Sequence, residues 1–339
     1  MYEYAPWATE VLNRILSISS ESLPILDLQF GGSCNLNCIY CDTPKYKYPC
    51  LLDLEAVEKI IFSNGNIQWV YVCGLGEPTV KGGNAYAFKK VLAMCKANSA
   101  KVSVFSNMVD LDDELLQYID DGTLHVLFKL DSFKPAIMNY LYGVDRIETI
   151  LRNYERLKEV IHIKDGTTNL GASIVPNAKN REEIYEIVDF CMEYGIYPLL
   201  GQLENAGKCA SIFNELKVND DELLALRQYI KDTYGADYKM PVCPATIAGI
   251  HITNTNRVIV DKRTGLSCGW FWLDEPEMIE IGNIVDMSPE DITSKIIAYR
   301  KSKFADVVAI EKALTPNPFG GCGGDAKSLL RHYINIVNY

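Results

Sequence analysis

Histidine is scarce in this chain. The four histidines among 339 residues, His125, His162, His251 and His332, are scattered with no pair at a ligand spacing, which argues against a metal site built on imidazoles. Long apolar runs are missing too. None approaches the roughly 20 residues that a membrane span requires, so no membrane partner is expected. Positive charge is in deficit: 33 Lys and Arg against 44 Asp and Glu leave a net charge of -11. Binding a polyanion needs basic patches, so nucleic acid is not expected as a partner. Neutral and cationic substrates stay open, and ordinary solubility also accounts for the acidity. Residues 1–20 have neither the basic start nor the apolar centre of a signal peptide and read as an amphipathic helix containing Glu3, Glu10 and Arg14. The expected location is cytoplasmic. No internal repeat or low-complexity segment stands out.

Cysteine, by contrast, is plentiful. Eleven in a cytoplasmic chain of this size point to metal ligation or redox chemistry, not to a disulfide framework. Three fall in Cys34-Asn35-Leu36-Asn37-Cys38-Ile39-Tyr40-Cys41. The apolar run 25–30 and Gly31-Gly32 come just before, which reads as a strand entering a tight loop. A closed zinc site wants four ligands, and a fully ligated four-iron cluster wants four cysteines. Three thiolates in one loop hold three irons of a cubane and leave the fourth open to a ligand that is not protein. A zinc knuckle or a chance cluster is the alternative.

The C-x3-C-x2-C spacing, with Tyr40 before the last cysteine, resembles the radical S-adenosylmethionine (radical SAM) superfamily. The resemblance implies a [4Fe-4S] cluster on Cys34, Cys38 and Cys41, its open iron chelated by the amino and carboxylate groups of SAM.

Apolar strand-like runs at 25–30, 67–73, 102–105, 124–130, 170–175 and 196–203 alternate with helical patterns at 54–62, 85–97, 112–119, 146–160 and 181–194. Such alternation means parallel strands with helices outside. Six units make an α/β partial (β/α)6 TIM barrel of the radical SAM type, whose chemistry gathers at the strands' C-terminal ends. The expected division is an N-terminal extension over 1–24, the barrel over 25–215, and a small β-hairpin and helix domain over 216–339. With so little chain ahead of the first strand, no added N-terminal peptide-recognition domain is expected.

Candidate ligand groups cluster at those strand ends. Cys73-Gly74-Leu75-Gly76-Glu77-Pro78 offers glycines that let carbonyls approach a ligand and acceptors for an ammonium. It resembles the family's Gly-Gly-Glu-Pro motif, which receives the SAM amino group; Leu75 replaces one glycine. Ser106 and Asn107 end the third strand and either bond the ribose or serve a cap or turn. Lys129 ends the fourth, before Asp131 and Ser132, where relatives carry Ser-x-Asp-Gly. An ammonium in an apolar strand faces an anion, either the SAM carboxylate or an internal acid. Ser173 and Asn177 also lie within reach of SAM. Cys209, after the sixth strand, is a hydrogen-atom donor to a substrate radical, a cluster ligand, or an inert thiol.

Beyond a helix at 216–234 the pattern turns to β: runs at 247–252 and 257–261 with Thr253-Asn254-Thr255-Asn256 between them as a hairpin turn, then Ile281-Gly282-Asn283-Ile284 and a helix at 289–299. Cys243, Cys268 and Cys322 punctuate this region, which resembles the SPASM or twitch extension of radical SAM enzymes. The resemblance implies one auxiliary iron–sulfur cluster on those three cysteines, the fourth ligand being Cys209, Asp325, water or substrate. The C-x2-C-x5-C-x3-C run of the full SPASM form is not present. Cys50, Cys95 and Cys191 fit no site, and the last two read as core.

The implied activity is reductive cleavage of SAM to a 5′-deoxyadenosyl radical that takes a carbon-bound hydrogen. The substrate is either a peptide or natural-product precursor (oxidation, cross-link or epimerisation) or a small sugar or aminocyclitol. An electron donor such as flavodoxin or ferredoxin is the implied partner. A non-catalytic iron–sulfur carrier is the reading from another class.

Overall fold

The structure is a computed structural model that describes residues 2–18, 22–41, 49–63, 67–73, 75–235, 243–267, 277–314 and 326–337. Six strands, β1 (Ile25–Gln29), β2 (Trp69–Cys73), β3 (Lys101–Ser106), β4 (Leu124–Lys129), β5 (Leu170–Ile174) and β6 (Tyr197–Leu200), lie parallel and adjacent in chain order. Their sequences are near-continuous apolar runs because both faces are covered. Helices Leu54–Ser63, Gly83–Ala97, Asp113–Asp120, Ile147–Lys158 and Ile184–Glu193 make the crossovers. The expected mixed α/β architecture with a parallel sheet is what forms.

The sheet does not stop at β1. A strand from the C-terminal region, β7 (Gly249–Ile252), pairs parallel with β1, setting His251 opposite Asp27. Next come β8 (Arg257–Asp261) and β9 (Met278–Asn283), both antiparallel, so the sheet has nine strands in the order β9-β8-β7-β1-β2-β3-β4-β5-β6. Strand β9 was not foreseen beyond its Ile281–Ile284 string.

Two expectations need correcting. The apolar run at 247–252 does not begin as a strand: Ala245–Ala248 forms a helical turn first. Buried Arg300 braces this turn. Its guanidinium donates to the carbonyls of Ile247, Gly249 (3.1 Å) and Gly265 (2.9 Å) and to Ser267 Oγ (2.9 Å). The turn itself is closed by the Ile247 and Ala248 N–H groups, which donate to the Pro244 carbonyl at 3.2 and 2.9 Å.

The second correction concerns the N-terminus. The helix begins only at Thr9, after a short strand Glu3–Tyr4 and a 3-10 turn Ala5–Trp7 with Pro6 inside it. Glu3–Tyr4 pairs with Thr167–Thr168, itself paired with Ile163–Lys164. This segment lies against the inside of the curved sheet. Asp27, Tyr71, Ser103 and His125 share one register row on that face. Tyr4 Oη meets Ser103 Oγ at 3.1 Å, Tyr71 donates to the Pro6 carbonyl at 3.0 Å, and Trp7 packs on Phe105 with centroids 6.0 Å apart. The lumen is therefore plugged from the strands' N-terminal side by the chain's own start.

The helices Pro135–Tyr142, Phe304–Ala313 and Ala326–Val337 were likewise not foreseen. Cys95 and Cys191 are fully buried, as expected of core thiols. Among the described residues, no helix is long and apolar enough to cross a membrane.

Two stability predictions follow from the buried polar groups. Burial holds His125 down at about 3, against 6.5 for an unperturbed ring. The unfolded chain therefore binds a proton here that the folded chain refuses, and stability is lost as pH falls from 6.5 towards 3. Urea unfolding across that window should show a limiting slope of about 1.4 kcal/mol per pH unit from this group, absent in His125→Phe. Arg300→Met removes the shared donor of the buried Ile247, Gly249 and Gly265 carbonyls and of Ser267 Oγ, and only the Gly249 carbonyl keeps a side-chain donor, Ser267 Oγ. It should cost about 3 kcal/mol by the same measurement, with Arg300→Lys recovering only part.

Candidate active site

The three-cysteine loop leaves the C-terminal end of β1 and is fixed along its length by backbone hydrogen bonds. Asn37 and Ile39 N–H groups donate to the carbonyls of Tyr142 (2.9 Å) and Leu141 (3.0 Å). The helix Pro135–Tyr142 ends at Gly143 in the left-handed region, φ 64°, and a Cβ there would stand 2.4 Å from the Asn37 carbonyl oxygen. Lys208 closes the far side, its N–H on the Cys41 carbonyl at 3.0 Å and its ammonium on Asn37 Oδ1 at 2.5 Å. Cys34 is exposed, and Cys38 and Cys41 are half-buried; none is in a disulfide. Leu36 N–H and Asn107 Nδ2 both point at Cys34 Sγ, at 3.4 and 3.8 Å.

Burial pushes the Cys38 thiol up to about 12 while Lys129 opposes the rise. Such thiols need a metal or a cation to hold them as thiolates. Among the described residues, no three His, Cys, Asp or Glu side chains converge as they would on a single ion. A four-iron cluster asks for something different, one thiolate per iron on separate corners. Three free thiols on an anchored loop, with N–H donors at one sulfur, fit that demand.

The 73–78 loop supports the cysteine loop from beneath. At Gly76 a Cβ would lie 2.4 Å from the Gly31 carbonyl oxygen and 2.5 Å from that of Ser33, so only glycine allows the two loops to touch. Glu77 N–H donates to the Ser33 carbonyl at 2.8 Å, and Asn84 Nδ2 bridges the carbonyls of Gly31 (2.9 Å) and Glu77 (3.0 Å). Pro78 is buried.

Glu77 is itself buried. Its carboxylate accepts from Ser106 Oγ (2.5 Å), Asn107 N–H (2.7 Å), Thr79 N–H (3.0 Å) and Thr79 Oγ1 (2.8 Å). Burial raises its pKa and those donors pull it back. Ser106 and Asn107 are thus gathered on Glu77, and Asn107 Nδ2 also reaches Asn35 Oδ1 at 2.8 Å. Gly74 lies outside the described residues.

Lys129 sits beside the cysteines. Its ammonium is 3.3 Å from Asp131 Oδ2 and lies over the rings of Tyr40 (4.5 Å) and Tyr142 (5.6 Å). Burial lowers its pKa, but Asp131, Cys38 and Cys41 outweigh that and hold it raised. Asp131 is fully buried. It also accepts from the Tyr40 hydroxyl and, at 2.8 Å, from Val175 N–H. An internal acid, Asp131, is thus paired with Lys129. Ser173 pairs in register with Lys129, which directs both side chains to the same face. Asn177 is buried in a turn, its Nδ2 donating to the Val175 carbonyl at 2.8 Å and its Oδ1 accepting from Lys179 N–H at 3.0 Å.

The remaining candidates are spread out. Cys209 is fully buried in the 3-10 turn Cys209–Ser211. Cys243 is half-buried and near Tyr71, whose phenol is raised first by its own burial and then by that neighbour. Cys268, Cys322 and Asp325 lie outside the described residues. Sequence reasoning missed Asn84, Tyr142 and Lys208, which hold the cysteine loop. Only the helix carrying Tyr142 had a readable signal, Pro135 at its start and Gly143 just past its end.

Residues 28–195 match the Radical SAM superfamily. This stretch is a radical SAM domain. An uncharacterised protein of Methanocaldococcus jannaschii is 24% identical over 183 residues, 52% of this chain and 58% of the relative. A probable GTP 3′,8-cyclase of Thermococcus kodakarensis is 26% identical over 188 residues, 53% of this chain and 58% of the relative. The matches thus span little more than half the length of these relatives.

Among solved structures, Streptococcus suis SuiB bound to S-adenosylmethionine superposes with a TM-score of 0.59 at 16% identity, over 80% of this chain and 65% of that one. The structure of anSMEcpe with bound AdoMet gives a TM-score of 0.54 at 16% identity, over 93% of each chain. At that identity the likeness is one of fold. It extends past the radical SAM domain into the C-terminal region.

The Lys129–Asp131 pair gives the test of this site's architecture. Asp131→Asn leaves a buried ammonium without its anion and should destabilise the fold by about 3 kcal/mol. Adding Lys129→Met removes the stranded charge and should restore part of that loss, read as a shift of the urea midpoint back toward wild type.

Proposed function

We propose that this chain is an enzyme that binds a [4Fe-4S] cluster through Cys34, Cys38 and Cys41, cleaves S-adenosylmethionine reductively, and takes a carbon-bound hydrogen from a peptide or natural-product precursor. The observation that carries this reading is the anchored loop of three free thiols at the end of β1, inside a radical SAM domain. When bound, the cluster supplies the electron that breaks the sulfonium C–S bond and leaves a primary carbon radical on the adenosyl group.

The protein's own part is to hold and orient. Lys129 supplies positive charge beside Cys38 and Cys41, which favours the thiolate form that irons require. The Glu77 carboxylate fixes Ser106 and Asn107 where SAM's polar groups would lie. The N-terminal plug closes the lumen from below and excludes water from a reactive radical. Cys243, Cys268 and Cys322 are proposed to hold one auxiliary cluster. Cys209 is proposed as hydrogen donor or ligand, and a flavodoxin or ferredoxin as electron source.

A peptide substrate is supported by two structural neighbours, since SuiB has been crystallised with its precursor peptide SuiA and anSMEcpe with the Cp18Cys peptide. A small sugar or aminocyclitol is the second reading, favoured by the polar groups that line the lumen. A triphosphate such as GTP fits less well with a chain of net charge -11.

Replacing Cys34, Cys38 and Cys41 together with alanine should abolish 5′-deoxyadenosine formation from SAM under reducing conditions. Roughly half of the reconstituted iron should remain, held as a second cluster. Retained SAM cleavage in the triple variant would refute the assignment, and complete loss of iron would refute the auxiliary site.

A further inference from the structure

The register row that crosses the lumen contains a second polar centre, away from the cysteine loop. His251 on β7 stands opposite Asp27 on β1, and its Nδ1 is 2.6 Å from Asp27 Oδ2. The two strands reach this contact from opposite ends of the sequence, 224 residues apart. A carboxylate accepts hydrogen bonds, so Nδ1 is the nitrogen that carries a proton, and in the neutral ring Nε2 is a lone-pair acceptor. Asp27 is buried, whereas the His251 side chain keeps 14% of its exposure. Among the described residues, no hydrogen-bond partner for Nε2 is shown.

The position of the pair is as informative as its chemistry. Gln29 ends β1 two residues beyond Asp27, and the cysteine loop follows. At about 3.3 Å per residue the pair lies some 10 Å below the loop, inside the barrel. Tyr71, in the same row, is close to both Asp27 and Cys243. On the same inner face Trp7 packs on Phe105 and keeps its indole Nε1 buried with no partner among the described residues. A buried donor left unpaired calls for a reason. An unpaired donor and an imidazole with a free ring nitrogen thus lie on the same inner face of the sheet.

We propose that Asp27 and His251 form a substrate-recognition pair in the barrel lumen, in which His251 Nε2 accepts a hydrogen bond from a hydroxyl group of the substrate. Asp27 is the positioning residue, fixing the ring's tautomer and orientation as a carboxylate does behind a metal-bound or catalytic imidazole. The word substrate rests on the radical SAM reading, but the acceptor site itself does not. The hydroxyl can belong to a serine-type side chain of a peptide or to a cyclitol.

The test labels the reconstituted full-length protein with diethyl pyrocarbonate, without reductant or SAM, and follows carbethoxylation of each histidine by peptide mass spectrometry. His162, on the surface with 52% of its side chain exposed, is the internal reference, and buried His125 the unreactive control. One arm adds acetyl-Gly-Ser-Gly-amide and the other myo-inositol. His251 should be labelled, and at saturation one of the two probes should slow that labelling at least about fivefold while His162 is unchanged. The protecting arm distinguishes the peptide from the cyclitol source. Asp27→Asn should slow labelling of His251 about threefold or more, because the carboxylate no longer fixes the acceptor nitrogen. An unlabelled His251, or labelling that neither probe slows, overturns the proposal, and wild-type labelling in Asp27→Asn overturns the role of Asp27. Since no turnover is involved, failure here is separable from failure of SAM cleavage.

Discussion

One buried carboxylate ties the mouth of the barrel together. Asp131 has no contact with water, and in that setting an anion must be matched or its desolvation goes uncompensated. It is matched by the Lys129 ammonium, the Tyr40 hydroxyl and the Val175 N–H. Those three groups come from the end of β4, the cysteine loop and the end of β5. A displacement of any one strand end would leave charge or a donor unpaired, so the loop carrying the thiols is referenced to the sheet. Asn180 adds to the same anchor by donating to the Asp131 carbonyl at 2.8 Å.

Glu77 plays the corresponding part on the other side of the mouth. Its four donors come from β3's end and from its own loop, while its N–H holds Ser33. The two acids thus clamp the cysteine loop from β2 and β3 on one flank and from β4 and β5 on the other. Preorganisation of this kind matters for radical chemistry, where position and exclusion of water are the protein's share of the work.

The local features of the fold were legible. Period and apolar content located all six parallel strands, and the apolar run 25–30 with Gly31-Gly32 after it placed the loop of Cys34, Cys38 and Cys41 at a strand end. What escaped notice depends on contacts distant in sequence. The pairing of β7 with β1 joins segments more than two hundred residues apart, and nothing local to either run announces it. The turn at Ala245–Ala248 is braced by Arg300, a charge that nothing local to the turn announces. Tyr4 and Trp7 suit the apolar face of an amphipathic helix as well as they suit the lumen, and only Pro6 hinted that the helix starts later. The lone lysine at the end of β4 called for an anion, and one stands two residues away, at Asp131.

The place of β7 also bears on how the chain survives before it is complete. A parallel sheet built from β1 to β6 alone would have two open edges. At the far one, β6 is four residues long and carries Pro198, which cannot donate and discourages pairing. At the near one, Ile25–Gln29 has no such guard, and Gly249–Ile252 is what covers that edge. A chain emerging from the ribosome must hold that strand uncovered until the last third is made. Its solubility in that interval falls to chaperones and to the chain's strong negative charge.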